Sequence, residues 1–231
     1  MKKLFVLLAG ILMLNISINA QTIFYVTKPG DYDPFIYQYN YVDSLCDTTM
    51  YGTLQWATRK VNDTFGPCEI RFAIAGAGQH IIALNYYLPS IRNTVTIDGT
   101  TQPGYQNGEP SIIIDGGNTV NICFIIQNQQ CEIKGLYIRK FSVGLSVLSS
   151  YFKIYNNVIN QCIDGIEIMS NNVEITGGEV MGNIIGTDNT MSVLLNISQY
   201  GIALGNASNN VIGGVQTGKG NIIANCYVGI M

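Results

Sequence analysis

Three aspartates stand in the same local sequence, and their carboxylates are the side chains best suited to binding a cation. Asp98, Asp115 and Asp164 each occupy the middle of an Ile-Asp-Gly triplet. Asp98 and Asp115 are 17 residues apart, about one circuit of a repeating β structure, so their carboxylates are expected to stack and attract Ca²⁺. The alternative is structural, because an aspartate before glycine often hydrogen bonds its own backbone and shapes a turn.

The histidine and the cysteines offer little other chemistry. His80 directly precedes an apolar run, so we expect it at the edge of a strand rather than in a nucleophilic triad or a metal site. No Cys-x-x-Cys pair suggests zinc. Our first disulfide prediction joins Cys46 to Cys68 across a helical stretch, and the second joins Cys123 to Cys131.

Tyrosines supply the candidate binding surface. A tyrosine ring can stack on a sugar ring while neighbouring Asn and Gln side chains hydrogen bond to its hydroxyl groups. The tyrosines expected to form such a platform are Tyr86, Tyr87, Tyr105, Tyr151 and Tyr155. Tyrosine is also common in strands, so a purely structural role stays open.

The elements that would position these residues repeat along the chain. Four segments overlay without gaps, and each has glycine in its ninth position and Ile or Leu in its third. The segments are Leu136–Val147, Asn157–Ile168, Val193–Leu204 and Asn221–Met231. Their glycines follow one another at steps of 21, 36 and 28 residues, and self-similarity at such a period indicates a solenoid. The sixth positions, expected in one interior column, are Phe141, Cys162, Ser198 and Cys226.

The residue types inside the repeat predict an all-β fold, a parallel β-helix. Short apolar runs alternate with polar positions, which is strand periodicity, and the frequent Gly and Asn are unfavourable within helices. Gly and Asn tolerate the left-handed backbone of tight corners. We therefore expect the repeated glycines at corners, together with Asn156, Asn157, Asn171, Asn172, Asn209 and Asn210.

Residues 1–20 are typical of a signal peptide. Lys2 and Lys3 precede an apolar stretch that is too short to span a membrane, and a small-residue cleavage site follows. We therefore expect a secreted or cell-surface protein with no stable membrane span after cleavage.

Between the signal peptide and the repeats, residues 21–68 are predicted to form a lead-in. It contains a short strand at Ile23–Thr27 and a helix at Thr53–Asn62, whose apolar residues recur at helical spacing. This helix is expected to cap a β-helix that occupies residues 69–231. The chain ends at Met231 inside its fourth repeat, so we expect either further repeats beyond it or docking of that end on another chain.

The charge balance narrows the range of partners. Without the signal peptide the chain has ten basic and fifteen acidic residues, which argues against a nucleic-acid partner. Only 12% of the residues are charged while 47% are apolar. A β-helix accounts for this balance, since its strands bury one face and uncharged polar residues cover the other.

Several strings resemble the N-terminal part of secreted bacterial right-handed parallel β-helix proteins of the pectin-lyase-like superfamily, which begin with a cap of the pattern C/G-S-L-R-x-A-I. The strings are Gly52–Asn62, Ile70–Gly76, Leu88–Ile91, Val95–Tyr105 and Ile112–Gly117. This chain has Thr53, Gln55 and Thr58 where the cap pattern has Ser, Arg and Ile. The resemblance runs from Gly52 to the end of the chain and implies a right-handed β-helix, export, and a longer protein of which this chain is an N-terminal part.

The resemblance also frames the catalytic alternatives. Lyases of this fold hold Ca²⁺ between stacked acids and use Arg or Lys as the base, and the resemblance makes Arg92 and Arg139 the candidate bases near Asp98 and Asp115. The strings that hydrolases of this fold share (N-T-D, D-D, G-H-G and R-I-K) do not occur. No other cofactor is implied.

Two functions from different classes remain. The first is a non-catalytic, exported scaffold for adhesion or binding of a glycan or surface polymer, with Tyr86, Tyr87, Tyr105 and Tyr155 as binding residues. The alternative is a polysaccharide lyase or glycoside hydrolase acting on acidic polysaccharide. A passive spacer for a further domain is a third, purely structural possibility.

Overall fold

The structure is a computed structural model that describes residues 21–31, 50–188, 190 and 192–231. Within these residues it consists mainly of short parallel strands in three sheets, with one α-helix, α1 (Leu54–Asp63). The predicted signal peptide and Cys46 lie outside the described residues.

The three sheets are named here A, B and C, and their strands are given in spatial order. Sheet A contains β1 (Thr22–Val26), β2 (Cys68–Phe72), β4 (Val95–Asp98), β7 (Glu132–Lys134), β10 (Lys153–Tyr155), β13 (Glu179–Met181) and β16 (Val211–Ile212). Sheet B contains β17 (Ile222–Ile223), β14 (Ile184–Ile185), β11 (Val158–Asn160), β8 (Tyr137–Arg139), β5 (Ile112–Asp115) and β3 (His80–Ala83). Sheet C contains β18 (Cys226–Ile230), β15 (Ile197–Gly205), β12 (Asp164–Met169), β9 (Val143–Val147) and β6 (Ile122–Ile126).

From β4 onward, successive strands enter sheets A, B and C in strict rotation. This gives five three-strand units, β4–β6, β7–β9, β10–β12, β13–β15 and β16–β18, and each strand pairs in parallel with its equivalent in the next unit. The all-β, parallel character of the prediction is confirmed, and the order of the strands is compatible with a β-helix.

Each sheet has a column of apolar side chains that faces the interior of the molecule. In sheet A the inner column is Ile70, Ile97, Ile133, Ile154 and Val180, all fully buried. In sheet B it is Ile82, Ile114, Ile138, Ile159 and Ile185. These columns join Phe124, Leu145, Ile166 and Ile202 of sheet C in one hydrophobic cluster. Burying each such side chain contributes about 1.5–3 kcal/mol before the cost of chain ordering is counted.

Helix α1 forms close to its predicted position. Thr53 is the N-cap, and its Oγ1 accepts a hydrogen bond from the backbone N–H of Trp56 at 3.2 Å. Leu54, Ala57 and Val61 are fully buried, as the spacing predicted. The helix packs on β1 and β2, and the Trp56 ring meets the edge of Phe24 at 5.7 Å between centroids. Trp56 is therefore a core residue, and the predicted strand near the N-terminus is the edge strand of sheet A.

The repeated glycines do not lie at corners, contrary to expectation. Gly144, Gly165, Gly201 and Gly229 lie within the strands of sheet C, and none has a positive φ. They are stacked so closely that a Cβ on Gly144 or on Gly165 would lie 2.5 Å from the carbonyl oxygen of the next glycine. Glycine is needed here for close packing of one strand on the next, not for turning.

The corners are instead occupied by other residues with left-handed backbone. Lys140, Gln161 and Asn225 have φ of 60°, 53° and 53°, and each precedes a strand of sheet C or the residue that leads into it. Asn156 (φ 53°) and Asn209 (φ 53°) confirm part of the predicted asparagine set.

In the first half of the third repeat, the gap-free alignment of the four segments does not match the strand pairing of the structure. The inner position predicted for Leu195 belongs to Ile185, which pairs with Ile159 on one side and Ile223 on the other. Residues 187, 188 and 192–196 belong to an insertion closed by an antiparallel bridge between Thr187 and Leu194, and this insertion accounts for most of the longer spacing. The register also shifts at the start of β15, so Ile197 and not Ser198 aligns with Cys226.

A ladder of asparagines, of which Asn157 and Asn183 are buried and Asn221 is half-buried, joins the units between sheets A and B. Asn183 Oδ1 accepts from the backbone N–H of Asn157 at 2.9 Å, and Asn221 Oδ1 accepts from that of Asn183 at 3.0 Å. The Nδ2 groups of Asn157 and Asn183 donate to the carbonyls of Ile133 and Ile154 at 2.9 and 2.8 Å. The structural interpretation of Asn157 is confirmed, and its partners Asn183 and Asn221 were not predicted.

Candidate functional site

The predicted calcium pair is not brought together. Asp98 ends β4 of sheet A, where its register neighbours are Arg71 and Lys134, whereas Asp115 ends β5 of sheet B. The 17 residues between them carry the chain from one sheet to another rather than through one full unit. The two carboxylates therefore do not stack, and no group of three or more metal-binding side chains occurs in the part of the chain described by the structure.

Each of these aspartates shapes a turn and binds a cation of the protein. Asp98 Oδ1 accepts from the backbone N–H of Thr100 at 2.9 Å, and Lys134 Nζ lies 3.3 Å from its Oδ2. Asp115 Oδ1 accepts from the backbone N–H of Gly117 at 2.9 Å. The structural alternative for both residues is thus confirmed.

Asp115 is the centre of a small ionic cluster on sheet B. Arg139 Nε donates to its Oδ2 at 2.7 Å, and Lys140 Nζ lies 3.1 Å from the same atom. Burial acts to raise the pKa of Asp115, but the hydrogen bonds from Gly117, Arg139 and Lys140 outweigh it and lower the pKa below the usual range. Arg139 is thus held in an ion pair and is poorly suited to act as a free base.

The third aspartate has a different partner. Asp164 in β12 accepts a hydrogen bond from the backbone N–H of Tyr200 at 2.9 Å, and Glu167 lies three residues further along the same strand. Burial and the charge of Asp164 both raise the pKa of Glu167.

The outward-facing residues of sheet A form two polar columns, which we call the lateral face. They are Glu69, Thr96, Glu132, Lys153 and Glu179 in one column and Arg71, Asp98, Lys134, Tyr155 and Met181 in the other. Charges on this face compensate one another: Arg71 pairs with Glu69 at 2.8 Å, and Lys134 pairs with Glu132 at 2.9 Å. The face is polar but carries little unpaired charge.

Two of the predicted tyrosines border this face. The Tyr155 hydroxyl donates to Glu179 Oε2, and Lys219 Nζ lies 5.0 Å from the centre of the ring. Burial and the hydrogen bond to Glu179 raise the pKa of Tyr155. Tyr105 lies in the loop after β4, and burial together with the charge of Asp98 raises its pKa.

The other two predicted tyrosines lie in a groove beside α1, of about 730 Å³. Its walls come from α1, residues 85–92 and residues 119–125, and the lining includes Tyr86, Tyr87, Arg92 and Gln55. The backbone N–H groups of Asn85 and Tyr86 donate to Asp31 Oδ2 at 2.6 and 3.1 Å. Tyr105 and Tyr155 do not line this groove, so the predicted single platform of tyrosines is divided between two places.

Gln55 also lines this groove, and the sequence interpretation did not select it. Its side chain is 4% exposed, yet no donor in the described residues reaches its Oε1. The sequence did contain a signal, because Gln55 is one of the three departures from the cap pattern of the resembling family.

The cysteine predictions find no support. Cys123 and Cys131 carry free thiols, and their pairing was wrong, because Cys123 lies in β6 of sheet C while Cys131 leads into β7 of sheet A. Cys68 also has a free thiol, 3.6 Å from the Gly66 carbonyl, so the structure does not show the predicted bridge to Cys46. Burial raises the pKa of Cys131 to about 11 and that of Cys162 to about 12, which makes both thiols unreactive.

Comparison with known proteins gives no family. No protein-family model matches the chain, and no curated protein matches it. Among the described residues, no helix has the length and apolar character needed to cross a bilayer. The resemblance to the pectin-lyase-like superfamily therefore stays a prediction, which the three parallel sheets support at the level of architecture.

Proposed function

We propose that the chain is part of a right-handed parallel β-helix that is exported and acts as a non-catalytic scaffold, binding a glycan or another surface polymer. The rotation of successive strands through three parallel sheets supports the architecture. The signal-like residues 1–20 support export, with an extracellular or cell-surface location.

The observation that carries the binding role is the lateral face. Five strands, from β2 to β13, align two polar columns over roughly 20 Å, at about 4.8 Å per strand. Hydrogen-bonding side chains repeat along these two columns, and the Tyr155 ring lies in the second of them as an apolar surface. Such a face suits an extended polymer, which can bind many weak donors and acceptors in succession.

The internal pairing of charges favours a binder over an enzyme. A lyase requires an available base and acids free to hold Ca²⁺, but Lys134 and Arg139 both form ion pairs with aspartates.

Binding is best tested with the full exported chain on a glycan array and on insoluble polysaccharides. Lys134→Met removes the cation at the centre of the lateral face and is expected to weaken binding about tenfold, the effect of one charged hydrogen bond. Glu174→Gln, an exposed change away from this face, is the matched control.

Two results would contradict the proposal. The first is the absence of binding to any glycan or cell-wall polymer. The second is release of unsaturated or reducing-end products from acidic polysaccharide, which would favour the alternative of a lyase or hydrolase. Fractionation of cells that express the full sequence tests export, and retention in the cytoplasm would contradict it.

A further inference from the structure

The groove beside α1 contains a buried polar group that the protein itself does not satisfy. Gln55 lies on the helix between two buried neighbours, and its Oε1 is shielded from solvent without a donor among the described residues. Buried amides normally find partners, because leaving one unpaired is costly. Gln55 lines the groove, and its terminal torsion is a soft one, so a small rotation turns the amide toward a bound molecule.

The rest of the lining fits a sugar ring. Tyr87 is 62% exposed, which leaves its ring face available for stacking on the apolar face of a saccharide. Asn85, Ser90 and Asn121 add amide and hydroxyl groups that can both donate and accept, as sugar hydroxyls do.

The charges that line the groove favour a ligand with an anionic substituent. Arg92 is exposed and lines the groove, and none of the lining residues is acidic. Its guanidinium can donate two parallel hydrogen bonds to a planar or tetrahedral anionic substituent.

We propose that this groove is a second binding site, distinct from the lateral face, for one or two units of a saccharide, and that it prefers a ring with an anionic substituent. This inference rests on the proposed glycan-binding function and adds to it a second, short site for one or two sugar units. Gln55 hydrogen bonds the ring hydroxyls, Tyr87 stacks on the ring, and Arg92 binds the anionic substituent.

The experiment uses the full chain and three probes, namely cellobiose, diacetylchitobiose and a monosulfated disaccharide, with titration followed by saturation-transfer NMR and calorimetry. Tyr87→Ala and Gln55→Leu are each expected to raise Kd about tenfold for any disaccharide that binds. Arg92→Met should remove the preference for the sulfated probe while leaving the neutral ones unchanged. Tyr227→Ala, an exposed tyrosine in β18, is the matched control.

The outcomes separate this inference from the general function. If polymers bind through the lateral face but the groove variants keep disaccharide affinity within twofold of the parent chain, the groove does not bind saccharides. The same conclusion follows if Gln55→Leu raises the melting temperature without changing binding, since the amide would then hold an ordered water only. If neither polymers nor disaccharides bind, the scaffold function fails as well. Because Tyr87 is on the surface, its variant tests the site even where Gln55→Leu does not fold.

Discussion

The interior of the repeated units and the lateral face of sheet A are built from the same strands but depend on different physics. Inside, the stacked glycines let neighbouring strands approach closely, and the asparagine side chains hydrogen bond to the backbone of the neighbouring unit. On the lateral face, Arg71 pairs with Glu69 and Lys134 pairs with Glu132 within their own strands, and Lys134 also pairs with Asp98 of the neighbouring strand. The packing of the interior therefore depends on residues that repeat along the chain, whereas the lateral face is formed by residues that do not.

The sharpest test of this contrast is the glycine column. Gly165→Ala would place a methyl group 2.5 Å from the Gly201 carbonyl oxygen, so two strands must move apart. We expect a loss of about 3 kcal/mol in the free energy of unfolding, at the upper end of overpacking effects. Gly220→Ala, where nothing lies within 4 Å, is the control and should change stability by less than about 0.5 kcal/mol in urea unfolding. Equal effects of the two changes would mean that the column is not closely packed.

The asparagine ladder comes next in expected size. Asn183→Ala leaves the buried N–H of Asn157 without its acceptor and takes a donor from the Ile154 carbonyl. The expected cost is about 2 kcal/mol, because an unpaired buried group loses its full desolvation energy. Asn172→Ala, at an exposed position, is the control and should be neutral. Hydrogen exchange should also quicken at Asn157 in the Asn183 variant, and unchanged protection there would argue against the ladder.

The sequence was sufficient to predict features that depend on a local residue pattern. It was not sufficient for features that depend on which residues the fold brings together. The repeated glycines were located correctly, but their role was misassigned, since sequence does not distinguish a corner from a close approach. Ile185 was missed because the insertion that the Thr187–Leu194 bridge closes shifted the alignment. The helix was predicted well, because its spacing and its Thr53 cap are local properties.

The candidate sites were less predictable for the same reason. A spacing of 17 residues suggested that Asp98 and Asp115 stack, but the length of the loop after β4 decides which sheet the next strand enters. Tyr86 and Tyr87 do line a groove, whereas Gln55 joins them only because α1 packs beside residues 85–92. Partners brought together by packing leave no periodic signal in one sequence.

On the outside of the sheets, the pH dependence of stability should show how little the ion pairs of Asp115 contribute to the free energy of unfolding. The folded pKa of Asp115 is lowered, so its ion pairs stabilise the protein above the unfolded pKa, near 3.8, and that contribution is lost as pH falls through the folded value. Asp115→Asn should cost about 1 kcal/mol at neutral pH, discounted for partial exposure, and the difference should shrink as pH falls through the folded pKa. Melting temperatures of the two proteins between pH 2 and pH 7 measure this, and a difference that stays constant over the whole range would point to packing instead of charge.

The smallest expected effect has the opposite sign and comes from the acid pair of sheet C. The folded pKa of Glu167 is raised by burial and by Asp164, so the protonated pair contributes stability below the unfolded pKa, near 4.5, and loses it as pH rises through the folded value. Glu167→Gln removes the second charge near Asp164, so it should stabilise the protein by roughly 0.5 kcal/mol at pH 7 and hardly at all at pH 4. Unfolding in urea at both pH values gives the comparison. If the Gln variant is less stable at pH 7, then Glu167 is held there by an interaction with its charged form, and the pair is a site for a cation rather than for a proton.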